Sequence, residues 1–235
     1  MLSIVGSLII TAIAAYLWGS LPPGYWMGKL LRGRDFDIRA HGSRKIGATN
    51  VQRTLGTVPA IIVFILDLSK GIGPALLAKY IPFFQGAGWG ILVAGLCALL
   101  GHCFPIFIGF KGGRGVLTGA GVMLVISPLA FLIGTIATVS TIGISRYVSL
   151  GSLVGCLTTI ICATLFYILG PTFFAHISLA EMLYLVIGSI LVALFHRDNI
   201  SRLLKGTENK LGSKKPEQEQ DSTLPPDIAH RVLAK

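Results

Sequence analysis

The sequence predicts an all-α polytopic membrane protein with seven transmembrane helices, some of them short, the N-terminus outside and the C-terminus cytoplasmic. Three observations carry that expectation. The 235 residues are 53% apolar and only 13% charged, about half the roughly 25% of ordinary globular chains, and the mean hydropathy is +0.75. The charges are bunched between long uncharged runs. The basic residues that produce a net charge of +10 fall in segments that can all lie on one face of a bilayer. A soluble fold is excluded, because too few ionic groups remain to cover its surface. With the charge placed on a membrane face, nucleic acid is not needed as a partner to explain it.

Taken in order, residues 1–28 hold no charged side chain, and this run exceeds the ~20 residues needed to cross a hydrocarbon core. Basic residues follow it rather than precede it, so it reads as an uncleaved first span and not as a signal peptide. Further apolar runs cover about 57–80, 87–108, 116–145, 150–169 and 178–195. Residues 1–212 are expected to form a single transmembrane domain. The polar stretch 213–235, whose composition cannot offset the entropy of ordering, is expected to be a disordered tail.

Charge counting fixes the topology. Lys29, Arg32, Arg34, Arg39, Arg44, Lys45 and Arg53 form one basic segment, Lys111 and Arg114 a second, and Arg197, Arg202, Lys205, Lys210, Lys214 and Lys215 a third. All three belong on the cytoplasmic side. A single crossing by 116–145 would put the C-terminus outside. Division of that run at Ser127-Pro128, where proline disfavours a continuous helix, restores the parity and gives seven crossings. The first arm, about 11 residues or ~17 Å, falls short of a ~30 Å core. It must start inside the membrane, which draws the loop Lys111-Gly112-Gly113-Arg114-Gly115 below the surface, buried in protein or lining a wet cavity.

Three polar clusters end spans on that side. The first runs from His41 through Gly42, Ser43, Arg44, Lys45, Ile46, Gly47, Ala48 and Thr49 to Asn50, with Arg53 a turn later. Small residues allow close backbone approach, and the interleaved donors suit an oxyanion; the alternative is a basic loop that only touches anionic lipid. The second joins Gly101-His102-Cys103-Phe104-Pro105 to the 111–118 stretch and has the ingredients of a phosphate cradle at a helix start. It lacks the spacing of a Walker A loop, and its glycines could serve helix packing alone. The third, His196 to Leu204 and on to Glu208, would put His196, Asn199 and Arg202 on one helical face. Asp67 and Lys70, three apart in an apolar run, must neutralise each other or face a polar cavity; a structural and a catalytic role are both open. Arg146 with Tyr147, Ser149 and Ser152 makes a weaker patch, and Glu181 reads as a lone interfacial group. Cys97, Cys103, Cys156 and Cys162 show no paired spacing. No metal cluster, no cofactor motif and no nucleophile elbow is evident.

Together these clusters resemble the bacterial integral-membrane glycerol-3-phosphate acyltransferases that take acyl-phosphate as donor. That family's G-S-G-N-I-G-A-T-N aligns with Gly42 to Asn50, its G-H-x-F-P and F-K-G-G-K-G-V-x-T with Gly101 to Thr118, its D-x-x-K-G with Asp67 to Gly71, and its H-x-x-N-I-x-R-L-x-x-G-T-E with His196 to Glu208. The resemblance implies transfer of a fatty acyl group to the 1-hydroxyl of glycerol 3-phosphate, giving lysophosphatidate and phosphate, at the cytoplasmic face of the bacterial inner membrane. It places Ser43, Arg53, Arg114, His196 and Asn199 in the catalytic site. Phosphate would be held by Ser43, Arg53, Lys111, Gly112, Gly113, Arg114 and Asn199, with support from Asn50, Asp67, Lys70, His102, Ser149 and Glu208. Arg44-Lys45 departs from the family's Gly-Asn, and Arg114 from its lysine; arginine adds bidentate phosphate geometry. Expected partners are the two substrates, membrane lipid and an enzyme that forms acyl-phosphate.

Acyl-phosphate is already activated, so the residues chiefly align and neutralise two phosphorylated substrates. The expectation is that Arg53, Arg114 and Asn199 hold phosphate oxygens, that Ser43 orients the donor and that His196 orients glycerol 3-phosphate. The hydroxyl proton goes to the leaving phosphate or to His196. The competing classes are a transporter of an organic phosphate, against which stands the lack of a visible inverted repeat, and a lipid-binding scaffold.

Overall fold

The computed structural model describes residues 3–173 and 176–212, so the expected tail at 213–235, with Lys214 and Lys215, lies outside the described residues. Every regular element among them is helical. In chain order these are α1 (Ile4–Gly19), α2 (Pro23–Arg32), α3 (Ala48–Leu55), α4 (Thr57–Tyr80), the short α5 (Pro82–Gln85), α6 (Gly90–Cys103), α7 (Val116–Ile126), α8 (Pro128–Ser145), α9 (Val148–Phe173), α10 (Leu179–Phe195) and α11 (Arg197–Leu204). Five segments are long and apolar enough to cross a membrane: Ile4–Arg32, Thr57–Tyr80, Gly90–Ile108, Pro128–Ser145 and Val148–Gly170. The bent pair α10–α11 makes a sixth if counted as one span, and α7 is a shorter apolar helix. Ile13, Ile61, Ile65, Leu157 and Ile168 are each at least half exposed, a surface suited to lipid rather than water.

Proline accounts for two of the breaks. Ser127 accepts the Ala130 N–H at 3.2 Å and Pro128 occupies the first position of α8, where a missing N–H is harmless. The division expected within 116–145 is present, and α7 has 11 residues. The first apolar run is also divided, at Pro22-Pro23, into α1 and α2. A third break has no proline: α11 turns by 58° from α10 at His196, so the expected continuous stripe of His196, Asn199 and Arg202 is not one helix face. Glu181 is not isolated either. It forms a reciprocal cap with Ser178 and lies 3.5 Å from the Lys79 ammonium.

The helices approach on small residues. A Cβ on Gly71 would overlap the Thr118 carbonyl, and one on Gly121 the Leu68 carbonyl, so α4 and α7 meet backbone against backbone. Ala75, Ala94, Ala98, Val122, Ala130 and Ala163 are buried in the core beside them. A second cluster, Ile38, Ile46, Val51, Ala60 and Val63, anchors the α2–α3 connection to the start of α4. The first motif is thereby held at the end of the bundle where α7 begins and α10 turns.

Candidate active site

One cavity of about 750 Å³ draws its wall from all three motifs. In the first, Asn50 is the organiser. Its Nδ2 donates to the carbonyls of Lys45 (2.8 Å), His41 (3.1 Å) and Ile38 (3.2 Å), and its Oδ1 accepts the Ser43 N–H at 2.8 Å. Asn50 is buried, so its role is to shape the loop that carries Ser43. Gly42 and Arg44 both have φ of +57°; the family's glycine at the second position suits this left-handed turn, and arginine there is strained. Arg53, in the last turn of α3, lines the cavity mouth.

In the second motif the chain folds back on α6. Gly112 and Gly113 donate to the carbonyls of Cys103 and His102, each at 3.1 Å, satisfying acceptors that the end of α6 leaves open. A Cβ on Gly113 would strike the His102 ring. Gly112, Gly113 and Gly115 of this loop are thus buried in protein, and Gly115, at φ +81°, caps α7. Gly113, Arg114 and Gly115 line the cavity. Lys111 and Gly112 do not: Lys111 is exposed, and Gly112 is packed against Pro105 and the Cys103 carbonyl. The glycine turn brings Arg114 to the cavity and leaves Lys111 outside it, so the structure does not bring together the two cations expected to share a phosphate. Burial, then the nearby Arg202 and Arg53, push the Arg114 pKa below the usual guanidinium value, with Glu208 and Asp198 opposing. Its Nε is buried without a hydrogen-bond partner among the described residues.

The third motif turns on Glu208. Its Oε1 accepts Asn199 Nδ2 at 2.6 Å and Ser149 Oγ at 2.9 Å, and its Oε2 accepts Arg202 Nε at 2.7 Å. Ser149, from the first turn of α9, is thereby joined to α11. Arg146 clamps the returning segment from the other side, its carbonyl accepting the Leu211 N–H at 2.7 Å and its Nη2 donating to the Leu211 carbonyl at 3.0 Å. Because a carboxylate only accepts, Asn199 must present its amide nitrogen to Glu208 and its Oδ1 elsewhere; Oδ1 has no partner among the described residues. The free atom of Asn199 is an acceptor, so it suits a substrate hydroxyl and not the phosphate oxygen expected from the sequence. His196 approaches the Val192 carbonyl through Nδ1 at 2.8 Å, which places the ring proton there and leaves Nε2 as the lone pair.

Asp67 and Lys70 form an ion pair of 2.6 Å, each side chain 2% exposed, and Lys70 Nζ is also 3.3 Å from His102 Nδ1. Asp67 and His102 reach the cavity wall whereas Lys70 does not. The trio backs the glycine loop through His102. Arg202, read only as part of a helical stripe, lines the cavity beside Arg53 and Arg114. The rest of the wall is largely apolar, with Val116, Met123, Phe131, Val139, Leu185 and Val192.

Comparison with known proteins places the chain in a family. The family model described as glycerol-3-phosphate acyltransferase matches residues 9–206. The chain belongs to the glycerol-3-phosphate acyltransferase family. It is 42% identical over 211 residues to the glycerol-3-phosphate acyltransferase of Desulforamulus reducens, covering 88% of this chain and 96% of that one. With glycerol-3-phosphate acyltransferase 3 of Dehalococcoides mccartyi strain 195 the identity is 36%, over 90% and 99% of the two chains. The crystal structure of PlsY, an integral membrane glycerol 3-phosphate acyltransferase in its glycerol 3-phosphate form, superposes with a TM-score of 0.76 at 35% identity, covering 88% of this chain and 96% of that one. Its lysophosphatidic acid form gives 0.74. Membership of this acyltransferase family excludes the transporter and scaffold as first readings.

Proposed function

We propose that this protein transfers an acyl group from acyl-phosphate to the 1-hydroxyl of glycerol 3-phosphate. The observation that carries the reading is a cavity that brings Arg53, Arg114 and Arg202 together with a largely apolar wall. That combination fits a phosphate with a fatty tail beside a second, smaller phosphate. The membrane arrangement follows the charge bias: seven crossings, counting α7 and the α10–α11 pair, with the N-terminus outside and the site facing the cytoplasm of the bacterial inner membrane. An enzyme that forms acyl-phosphate has to supply the donor.

In the mechanism, the arginines neutralise the phosphoryl groups, Ser43 orients the donor and Asn199 Oδ1 accepts the glycerol hydroxyl. The hydroxyl oxygen bonds to the acyl carbon, the bond from that carbon to the phosphate oxygen breaks, and the proton leaves with phosphate. His196, its Nδ1–H committed to Val192, offers Nε2 to the glycerol moiety. No covalent acyl-enzyme is required. The test is phosphate release by purified protein, which should require both acyl-phosphate and glycerol 3-phosphate. Arg53→Ala and Arg114→Ala should each abolish it in folded protein. Turnover with acyl-CoA but not acyl-phosphate would refute the donor.

A further inference from the structure

We propose that Tyr184 is a further catalytic residue, whose hydroxyl donates to the acyl donor's carbonyl oxygen and to the oxyanion that forms there during attack. The proposal deepens the acyl-transfer reading and rests on it. Tyr184, on α10, is 2% exposed and belongs to the cavity wall. Its ring occupies a slot between glycines: a Cβ on Gly95 would overlap the ring, and one on Gly188 would stand 3.7 Å from the hydroxyl. That hydroxyl has no hydrogen-bond partner among the described residues. Buried phenols ordinarily find one. Two buried hydroxyls of the same wall obey the rule: Thr159 donates to the Gly155 carbonyl at 2.8 Å and Ser152 to the Val148 carbonyl at 3.0 Å. A phenylalanine would fill the same slot without an unpaired polar atom.

Position suggests what the hydroxyl is for. A Cβ on Gly119 would lie 3.9 Å from it. Gly119 donates to the Gly115 carbonyl at 2.7 Å, so it stands one turn, about 6 Å, below the cap of α7 and the adjacent Arg114. A donor whose phosphate is held at Arg114 runs down this wall. Below its phosphate it carries one hydrogen-bonding group, the acyl carbonyl, and then only methylenes. As the glycerol hydroxyl bonds to the carbonyl carbon, an electron pair moves onto the carbonyl oxygen; it returns as the bond to phosphate breaks, and the phosphate departs with the hydroxyl proton. Tyr184 keeps its own proton throughout. A fixed donor in a wall closed to water acts most strongly on that transient charge.

The test is Tyr184→Phe in the full-length protein. Its kcat should fall about 100-fold while KM for glycerol 3-phosphate moves less than about twofold. The substrate-free Tm should rise by a few degrees, because an unpaired buried hydroxyl is removed. A second measurement is independent of turnover: the infrared carbonyl stretch of a bound, isotope-labelled acyl phosphonate, whose carbon–phosphorus bond is not transferred, should lie lower on the wild type than on Tyr184→Phe. Coincident stretches, or a variant keeping more than about a third of kcat, would overturn the proposal. A lowered Tm with a matching loss of kcat and an unmoved stretch would also overturn it, assigning the ring to packing. A wild type active only with another acyl donor would refute the acyl-phosphate reading separately, and the two proteins are then compared on that donor.

Discussion

Glu208→Gln tests whether the site is held together from its C-terminal end. The carboxylate, with 7% of its side chain exposed, receives three donors, from Asn199, Ser149 and Arg202. An amide offers one oxygen and one NH₂, so at least one of those donors must face another donor. Losing one charge-assisted bond costs about 1.5–3 kcal/mol, which corresponds to about 10- to 100-fold in kcat/KM if the loss is felt in the transition state. The amide of Asn199 also loses the contact that fixes its orientation. Burial pushes the Glu208 pKa up, but the hydrogen bonds from Asn199, Arg202 and Ser149 outweigh it, and the net value lies below the usual 4.5. The stabilisation from this hub is therefore fully present above about pH 4.5 and is lost as pH falls through the lowered folded-state value. Thermal stability followed from neutral pH to well below pH 4 should show that acidic loss in the wild type and a smaller one in Glu208→Gln. A variant retaining half of wild-type kcat/KM at neutral pH would refute the reasoning.

Arg44→Gly should relieve a left-handed conformation that costs an L-residue about 1–2 kcal/mol, raising Tm by several degrees; an unchanged or lower Tm in a thermal-shift assay would count against the strain. Asp67→Asn leaves the buried Lys70 ammonium without its carboxylate and should destabilise by about 3–5 kcal/mol, whereas Asp67→Leu with Lys70→Met should recover most of that loss in the same denaturation assay. Gly121→Ala puts a methyl against the Leu68 carbonyl and should cost about 1–3 kcal/mol; a stability equal to wild type would mean that α4 and α7 can slide apart freely.

What could be read in the sequence was local chemistry. Ser127-Pro128 signals a cap and a first-turn proline in two adjacent residues, so the break between α7 and α8 was legible before any packing was known. Pro22-Pro23 carries the same kind of signal, yet the uncharged run around it masks the division of α1 from α2. Polar motifs stand out because hydrocarbon penalises them, and Arg114, His196 and Asn199, legible in that way, line one cavity. Which way each points was not local. Lys111 and Arg114 are chemically alike, and only the packing of Gly112 and Gly113 on α6 decides that one faces out and the other in. The turn at His196 has no proline or glycine to announce it. Ser149 and Glu208 meet across 59 positions, and Tyr184 looks like an ordinary span residue until α6 and α7 close around it.

Among the described residues, the buried side-chain atoms without partners are Arg114 Nε, Asn199 Oδ1 and Tyr184 Oη, and all three residues line the same cavity. Interiors seldom tolerate such atoms, so their convergence points to groups that ligand will satisfy: Arg114 Nε as a donor for phosphate, Asn199 Oδ1 as an acceptor for a hydroxyl, and Tyr184 Oη as the donor proposed for the acyl carbonyl. That division separates two ligands that share a phosphate. Glycerol 3-phosphate at about 100 times its Kd should stabilise the wild type by ~2.7 kcal/mol, a Tm rise of several degrees, and inorganic phosphate should stabilise it through the phosphate contacts alone. Arg53→Ala, which removes another arginine of the same wall, should weaken both shifts. Asn199→Ala should weaken the shift with glycerol 3-phosphate and leave the shift with inorganic phosphate within error. If Asn199→Ala instead weakens both equally, Asn199 serves the phosphate after all, and the amide orientation imposed by Glu208 does not govern how the site reads its substrate.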